Sequence, residues 1–487
     1  MSKNFIRTRF APSPTGELHI GGARTALFNY LLAQQGGGKF ILRIEDTDTE
    51  RNQEVFIDNQ YKDLSWLGLK SDESIFQSGE YGPYRQTERL NIYQKYTDKL
   101  IKEQKAYYCF CSREELIREK EEYIKKNQRG NYQYSRKCLN LTEQQIKLLL
   151  QNKNDHLIRF QVNHKKSYEF PDLVRGKVIF QGRDIEDFVL CRSNGLPLLN
   201  FAVVVDDYLM KISHVLRGEE HLSNTGKQLV LYEAFGWNPP LFGHISLILN
   251  QAKKKLSKRD PATGQFQMIY QLREKGYLPP ALTNYLLFLG WHPGEGITQE
   301  IFSLKEAVKL FKLAGLNTKG AVYDLEKLNW YNNYYIQQLT ESEFTECAWQ
   351  FLAPKYNLAS EKKDWVKQIA WLFRPQLNYF QELTDLTEYF FQKPNWQVKI
   401  EERQVSWLTE LEKALNQLDK WEAENIKLVL KSVCLNIQAP KKEFYLLTRK
   451  VLTGTDKGPE LPHIIFLLGK GETRERFKII NIEKDLK

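Results

Sequence analysis

Cysteine is scarce, with six residues in 487, mostly scattered. That excludes a disulfide-built scaffold and fits a reducing compartment. No apolar run approaches the roughly 18 residues of a membrane span. The start MSKNFIRTRF reaches Pro12 before a signal-peptide core could form, so a cytoplasmic location is expected. The common nucleotide signatures are missing as well: there is no GxGxxG turn and no GxxxxGK loop. There is no internal repeat and no low-complexity tract. After about residue 266 there is no strand series of the kind a β-barrel needs.

The chain does have positive charge and aromatic rings, with a formal net charge of +10 and 13% aromatic residues. Cationic surface gains affinity for polyanions by releasing counterions, and aromatics stack on unpaired bases. An ordinary lysine-rich composition accounts for the same numbers, so charge alone leaves both readings open. The length calls for roughly two to four domains of 100–200 residues each.

The first segment to carry structure is RTRFAPSPTGELHIGG, residues 7–22. Ile6, Thr8 and Phe10 alternate with Phe5, Arg7 and Arg9, the period of a pleated strand. Pro12 and Pro14 stop it because neither can donate to a sheet ladder. Beyond Gly22, apolar residues recur at Ala23, Ala26, Leu27, Tyr30 and Leu31, one face of a helix. A second strand, KFILRIEDTD, places Arg43 and Glu45 on the same side. Strand, crossover helix and strand make the parallel unit of a doubly wound sheet, whose ligands bind beyond the carboxyl strand ends, where His19, Gly21 and Gly22 sit.

From about 91 the pattern turns helical and then strongly charged, a solvated excursion, before short strands return at HLIRFQV and GKVIFQG. NFAVVVDDYLM reads as a central parallel strand, covered on both faces and ending in Asp206 and Asp207. Residues 91–194 would then be an insertion in the first sheet. HVLRGEEHLSNTGKQLVLYEAFGW gives a polar turn, with Asn224 and Thr225 as capping candidates, and then a helix. HISLILN is a further strand, leading to KKKLSKR at 253–259.

HIGG supplies a nucleotide grip of another kind. Gly21 and Gly22 let an adenine ring approach the backbone, while the helix-start amides and His19 can hold phosphate. A glycine-rich turn with a core histidine reads the same way. KKKLSKR is by itself a solvated charge run. Paired with HIGG, it offers Lys255 and Lys258 as movable cations for a departing pyrophosphate.

These segments, with RIEDTD, GPYRQTERL, VVVDDYLM, HVLRGEEHLSNT and KLSKR, occur in the order and spacing of class I glutamyl-tRNA synthetases of the bacterial type, and the chain resembles that family. The first and last correspond to the class signatures HIGH and KMSKS, with Gly22 in place of the final histidine. YDLEKLNW resembles the region joining catalytic and anticodon-binding parts, and RKVLTGTDKGPELPHIIFLLG the terminal helical domain.

The resemblance implies an α/β fold: a Rossmann-type catalytic domain with an acceptor-binding insertion, followed by an all-α anticodon-binding region. The expected boundaries are 1–90 and 195–255 for the catalytic domain, 91–194 for the insertion, 256–335 for a stem-contact connecting domain and 336–487 for the helical domain. It implies glutamate–tRNA ligation, with ATP split in the reaction, Mg2+ as cofactor and L-glutamate and tRNA(Glu) as partners, in a monomer with no membrane contact.

Catalytic roles would fall to His19, Lys255 and Lys258. ATP would be held by Pro12, His19, Gly21, Gly22, Lys255, Ser257 and Lys258. Arg9 would meet the glutamate side chain, with Ser13, Glu45 and Arg217 completing the pocket. A guanidinium holds a carboxylate bidentately, and Glu45 can hold an ammonium. A glutaminyl-tRNA synthetase shares the front motifs but carries β-barrels at its tail. A non-catalytic tRNA-binding relative would have decayed ATP motifs.

The chain departs from the family pattern at three places. Leu198 and Leu199 stand where many members have Thr-Tyr, and leucine lacks the tyrosine hydroxyl. Cys109, Cys111 and Cys138 resemble a CxC…CxH zinc knot of some relatives, yet Asn140 replaces the histidine; three thiolates could hold zinc with another fourth ligand, but a lost site is the expectation. In FRPQLNYF, Arg374 resembles an anticodon-reading residue, and Gln376 stands where restricted members often have arginine. An amide is more permissive toward base edges, which leads to the expectation that tRNA(Gln) is charged with glutamate as well.

Overall fold

The computed structural model describes residues 5–127, 134–256, 266–394 and 400–482. They form two compact units, one of Met1–Leu272 with Leu282–Lys327 and one of Arg273–Ala281 with Leu328–Lys487.

In the first unit, strand Arg7–Phe10 pairs in parallel with Lys39–Leu42, and helix Ile20–Gln35 makes the crossover. A second parallel pair, His214–Gly218 with Leu241–Ile245, joins the first where the Ser213 amide donates to the Arg7 carbonyl. All four residues of the first strand are buried, including Arg7, Thr8 and Arg9. Such burial requires partners. Arg7 donates to both oxygens of Glu73 at 2.8 and 2.9 Å, Thr8 to the Asn29 carbonyl, and Arg9 to Asp207.

NFAVVVDDYLM is not a strand. Residues Leu199–Leu209 form a helix whose interior from Phe201 to Asp207 is buried. An apolar run covered all round has no amphipathic period, so periodicity cannot tell a buried helix from a buried strand, and its length favours the helix. The strand that resumes the sheet is His214–Gly218. Asn224 and Thr225 lie inside helix Leu222–Phe235 rather than capping it.

Between the sheet halves lie an antiparallel sheet of Ala106–Cys109, Leu157–Phe160 and Val189–Arg192, and a hairpin of Ser167–Asp172 with Gly176–Gln181. Helix Arg113–Asn127 carries the charged run. After residue 266 the one strand among the described residues is Ala321–Val322, paired with Ile248–Leu249. The second unit is helical, with a core that includes Phe344, Val366, Leu411, Leu430, Phe444 and Ile464.

Glu73 ties the first strand to the sheet edge. Burial alone would raise its carboxyl, but Arg7, Tyr84 and Lys39 outweigh burial and hold it at about 2. Its stabilisation is therefore complete above the ordinary carboxylate pKa of roughly 4.3 and is lost as pH falls toward about 2. Glu73→Gln is expected to destabilise the first unit by roughly 3–5 kcal/mol at neutral pH, since it strands a buried guanidinium. The variant should also lose part of the acid dependence, which denaturant melts between pH 3 and 7 would measure.

Candidate active site

At the carboxyl ends of strands Arg7–Phe10 and His214–Gly218 opens a cleft of about 610 Å³. Pro12, Ser13, His19, Gly21, Gly22, Glu45, Arg217 and Lys255 all line it, so segments more than 200 residues apart in sequence meet there. Arg9 is not among the lining residues: it is 5% exposed, with Nε 3.2 Å from Asp207. Ser257 and Lys258 lie outside the described residues.

His19 is the N-cap of helix Ile20–Gln35. Its Nδ1 accepts from the amides of Gly21 at 3.0 Å and Gly22 at 3.4 Å, which fixes the neutral tautomer with the proton on Nε2. The ring can fold over the helix start only because Gly21 lacks a side chain, since a Cβ there would lie 2.7 Å from His19 Cε1. The helix N-terminus and the imidazole thus converge on one place suited to an anion. Lys255 is exposed, in a segment where the Leu256 amide donates to the Ile248 carbonyl.

Across the cleft, Glu45 follows the second strand and accepts from Arg43 at 2.9 Å. Burial raises its carboxyl, and Arg43 and Arg9 only partly offset that. Arg217 is pushed down to about 9, first by burial and then by Arg9. Its hydrogen bonds go to neutral groups: Thr225 Oγ1 at 2.7 Å, Gln228 Oε1 at 2.8 Å and His244 Nε2 at 3.2 Å. Each half of the pocket is a buried charge short of its opposite, an arrangement suited to a zwitterion. Leu199, at the start of its helix, is 39% exposed on the same cleft and presents no hydroxyl.

Sequence reading missed several residues here. Asp207 joins Arg9 to Arg43, at 2.6 Å from Arg43, and was hidden by the strand assignment of its segment. Arg24 lines the cleft and clamps the carbonyls of Ser246 and Leu289. Its helical register was visible, but its long-range partners were not. Gln228 and His244 carried no motif, and Thr225, the last residue of HVLRGEEHLSNT, carried no sign that it meets Arg217.

The sulfur atoms of Cys109, Cys111 and Cys138 lie within 4.8 Å of one another. The Tyr134 hydroxyl is 3.1 Å from Cys111 Sγ and 3.4 Å from Cys109 Sγ, and Arg159 Nε donates to Cys109 at 3.3 Å. Hydrogen bonding from Cys138 pulls the Cys109 thiol down, aided by Tyr134 and Arg159 against burial. The same bond, with burial, pushes Cys138 up. Three thiols would fill three places of a tetrahedral zinc site. The fourth group present is a phenol, and Asn140 offers an amide, so the residues do not match a closed Cys/His donor set.

In the second unit Arg374 donates to the carbonyls of Ile336, Gln337 and Leu339, closing the end of helix Leu325–Gln338, and stacks 4.2 Å over Trp371. Those donors are engaged in capping a helix. Gln376 lines a shallow pocket with Asn378, Glu382, Asp385 and Leu386.

A family model described as the catalytic domain of class I tRNA synthetases (E and Q) matches residues 5–330, and an anticodon binding domain model matches residues 343–480. The chain belongs to this family. It is 46% identical to a glutamate–tRNA ligase of Geobacillus thermodenitrificans over 98% of this chain and 99% of the relative. It is 46% identical to one of Geobacillus stearothermophilus over 97% and 98%. A glutamate tRNA ligase from Elizabethkingia meningosepticum, solved in complex with its amino acid, matches with a TM-score of 0.85 at 34% identity, covering 97% of this chain and 98% of that one. As a class I synthetase the chain is an ATP-using aminoacyl-tRNA ligase. No described helix is long and apolar enough to cross a membrane.

The donor set at Cys109, Cys111 and Cys138 leads to an expected outcome for this class I synthetase. Protein purified without chelators should hold well under one equivalent of zinc by elemental analysis, and Tyr134→His should raise that content.

Proposed function

We propose that the chain is a glutamate–tRNA ligase, which activates L-glutamate with ATP and passes the glutamyl group to the 3′ end of tRNA(Glu). The observation that carries this reading is the meeting, in one cleft, of the His19 and Gly21 anion cradle with the Glu45 and Arg217 pair and Lys255. The glutamate α-carboxylate attacks the α-phosphorus of ATP, the bond to the bridging oxygen breaks, and pyrophosphate leaves. A hydroxyl of the terminal adenosine then takes the acyl group from the adenylate and releases AMP. No protein nucleophile is needed, so catalysis is positioning and charge stabilisation.

The helix-start amides and the His19 Nε2 proton hold phosphate oxygens. Lys255, joined on sequence grounds by Lys258 and Ser257, meets the charge that develops on the departing pyrophosphate. Pro12 closes the strand end beside the nucleotide, where Mg2+ bound to the triphosphate would offset part of its negative charge. Glu45 takes the substrate ammonium. Arg217 takes the side-chain carboxylate with Ser13 nearby, and Arg9 adds positive charge from behind Asp207. Guanidinium donors face the N–H donors of a glutamine amide and reject it.

The remaining assignments belong to the same proposal. Residues 1–90 and 195–255 form the catalytic domain, 91–194 receive the acceptor end, 256–335 contact the stem and 336–487 bind the anticodon arm, in a cytoplasmic monomer. Gln376, an amide where a guanidinium would restrict base choice, supports glutamylation of tRNA(Gln) as well.

ATP–pyrophosphate exchange with glutamate and with glutamine, each with and without tRNA, is the deciding experiment. With tRNA present, exchange is expected with glutamate and not with glutamine, and exchange driven by glutamine overturns the reading. Charging of both purified tRNAs with glutamate is expected in parallel. Because the Glu45 carboxyl is raised, its charge is lost earlier as pH falls than that of an ordinary carboxylate. KM for glutamate should therefore climb on the acid side while KM for ATP does not, a split that Glu45→Gln should abolish.

A further inference from the structure

The hydrogen bonds of Arg217 use Nε and Nη2, and among the described residues Nη1 has no partner. A guanidinium with one edge anchored and one edge toward a cleft is only as well placed as its anchors. One of them is unusual, because an arginine Nε–H can only donate, so the His244 Nε2 facing it at 3.2 Å must accept. His244 is fully buried and therefore holds its proton on Nδ1, which lies 2.5 Å from Asp172 Oδ2. The other Asp172 oxygen accepts from the amides of Val174 and Arg175, both at 2.9 Å, in the turn of the hairpin.

We infer that Asp172 and His244 are positioning residues for the glutamate-binding Arg217: the carboxylate fixes the imidazole tautomer, and the imidazole presents its lone pair to the guanidinium. The inference rests on the reading of Arg217 as a pocket residue. Thr225 supports the same geometry, with Oγ1 3.0 Å from His244 Nε2 while it accepts from Arg217. The rings of Phe170 and Phe242 flank the imidazole at 6.2 and 6.4 Å between centroids. A carboxylate from the hairpin thus reaches the pocket through two hydrogen bonds, a route in the manner of the outer partners that orient metal-bound or catalytic histidines.

The test is KM for glutamate and for ATP in pyrophosphate exchange, measured with tRNA on the full chain, together with thermal melts. His244→Phe keeps the shape and removes both ring nitrogens. It is expected to raise KM for glutamate roughly tenfold or more, the cost of losing a hydrogen bond to a charged group, with KM for ATP within about twofold. His244→Gln keeps an acceptor for Arg217, whereas His244→Asn keeps only a donor for Asp172. The glutamine variant should therefore recover most of the glutamate KM and the asparagine variant little, a ranking that holds even if the phenylalanine variant does not fold.

Equal effects on both substrates, or no difference between the glutamine and asparagine variants, overturn the inference. Arg217→Lys separates the two levels of the argument. If it raises KM for glutamate while the His244 variants do not, the positioning role fails and the pocket reading stands. If it leaves KM for glutamate unchanged, the pocket reading itself fails and takes the inference with it.

Discussion

Arg43 has no exposed surface, and three carboxylates surround it: Asp207 at 2.6 Å, Glu45 at 2.9 Å and Asp206 at 3.8 Å. Burial alone would drive the proton off this guanidinium, but the carboxylates outweigh it and hold its pKa above the ordinary value. Asp206 is bound in turn by Arg89 at 2.7 Å and by the Tyr93 hydroxyl, and Asp207 by Arg9. Removing one member of such a cluster leaves an unpaired buried charge, which costs several kcal/mol, whereas replacing the whole with apolar residues can be nearly neutral. What the cluster contributes is therefore geometry. It sets one face of helix Leu199–Leu209 against the ends of two strands and leaves Glu45 at the edge of the cleft.

That geometry explains the opposed electrostatics of the two pocket residues. Glu45 shares Arg43 with Asp206 and Asp207, so its own burial is incompletely compensated and its carboxyl is raised. Burial, and then Arg9, push Arg217 down to about 9, and its hydrogen-bond partners, a threonine, a glutamine and a histidine, bring no opposite charge to offset that. Both groups gain when a ligand brings the missing opposite charge. Differential stabilisation of this kind is how a site that forms no covalent bond to its substrate can still select one.

The sequence shows the first strand, the crossover helix and the cradle because their signals are local: a two-residue period, a 3.6-residue period, prolines that stop a ladder, and glycines beside a histidine. The misassignment of NFAVVVDDYLM has a physical cause, since a helix buried on all sides displays no amphipathic stripe. Its consequence spread, because Asp207 was placed at a strand end instead of between Arg9 and Arg43. The anchoring of Arg217 by Thr225, Gln228 and His244 was not legible, although Thr225 itself stands in a quoted motif. Thr225 and Gln228 occupy ordinary helix positions, and His244 lies in a strand whose neighbours only the fold brings together. The structure adds to Arg374 a local role that no motif displays, because its Nη2 donates to the carbonyls of Gln337 and Leu339 in its own unit.

Under the proposed function, the His19 cap bears on how a phosphate group would be received at this helix start. The Gly21 and Gly22 amides are already satisfied by a neutral imidazole nitrogen. A phosphate oxygen competing for them brings a full negative charge to a helix N-terminus, and charge-assisted hydrogen bonds are roughly twice as strong as neutral ones. The exchange is therefore favourable for an anion and unfavourable for water. A ring released from the amides can turn either nitrogen toward the phosphates, whereas a helix start left bare would expose orphan donors in the empty site. Glycine at residue 21 serves the folded arrangement, because a Cβ there would lie 2.7 Å from His19 Cε1.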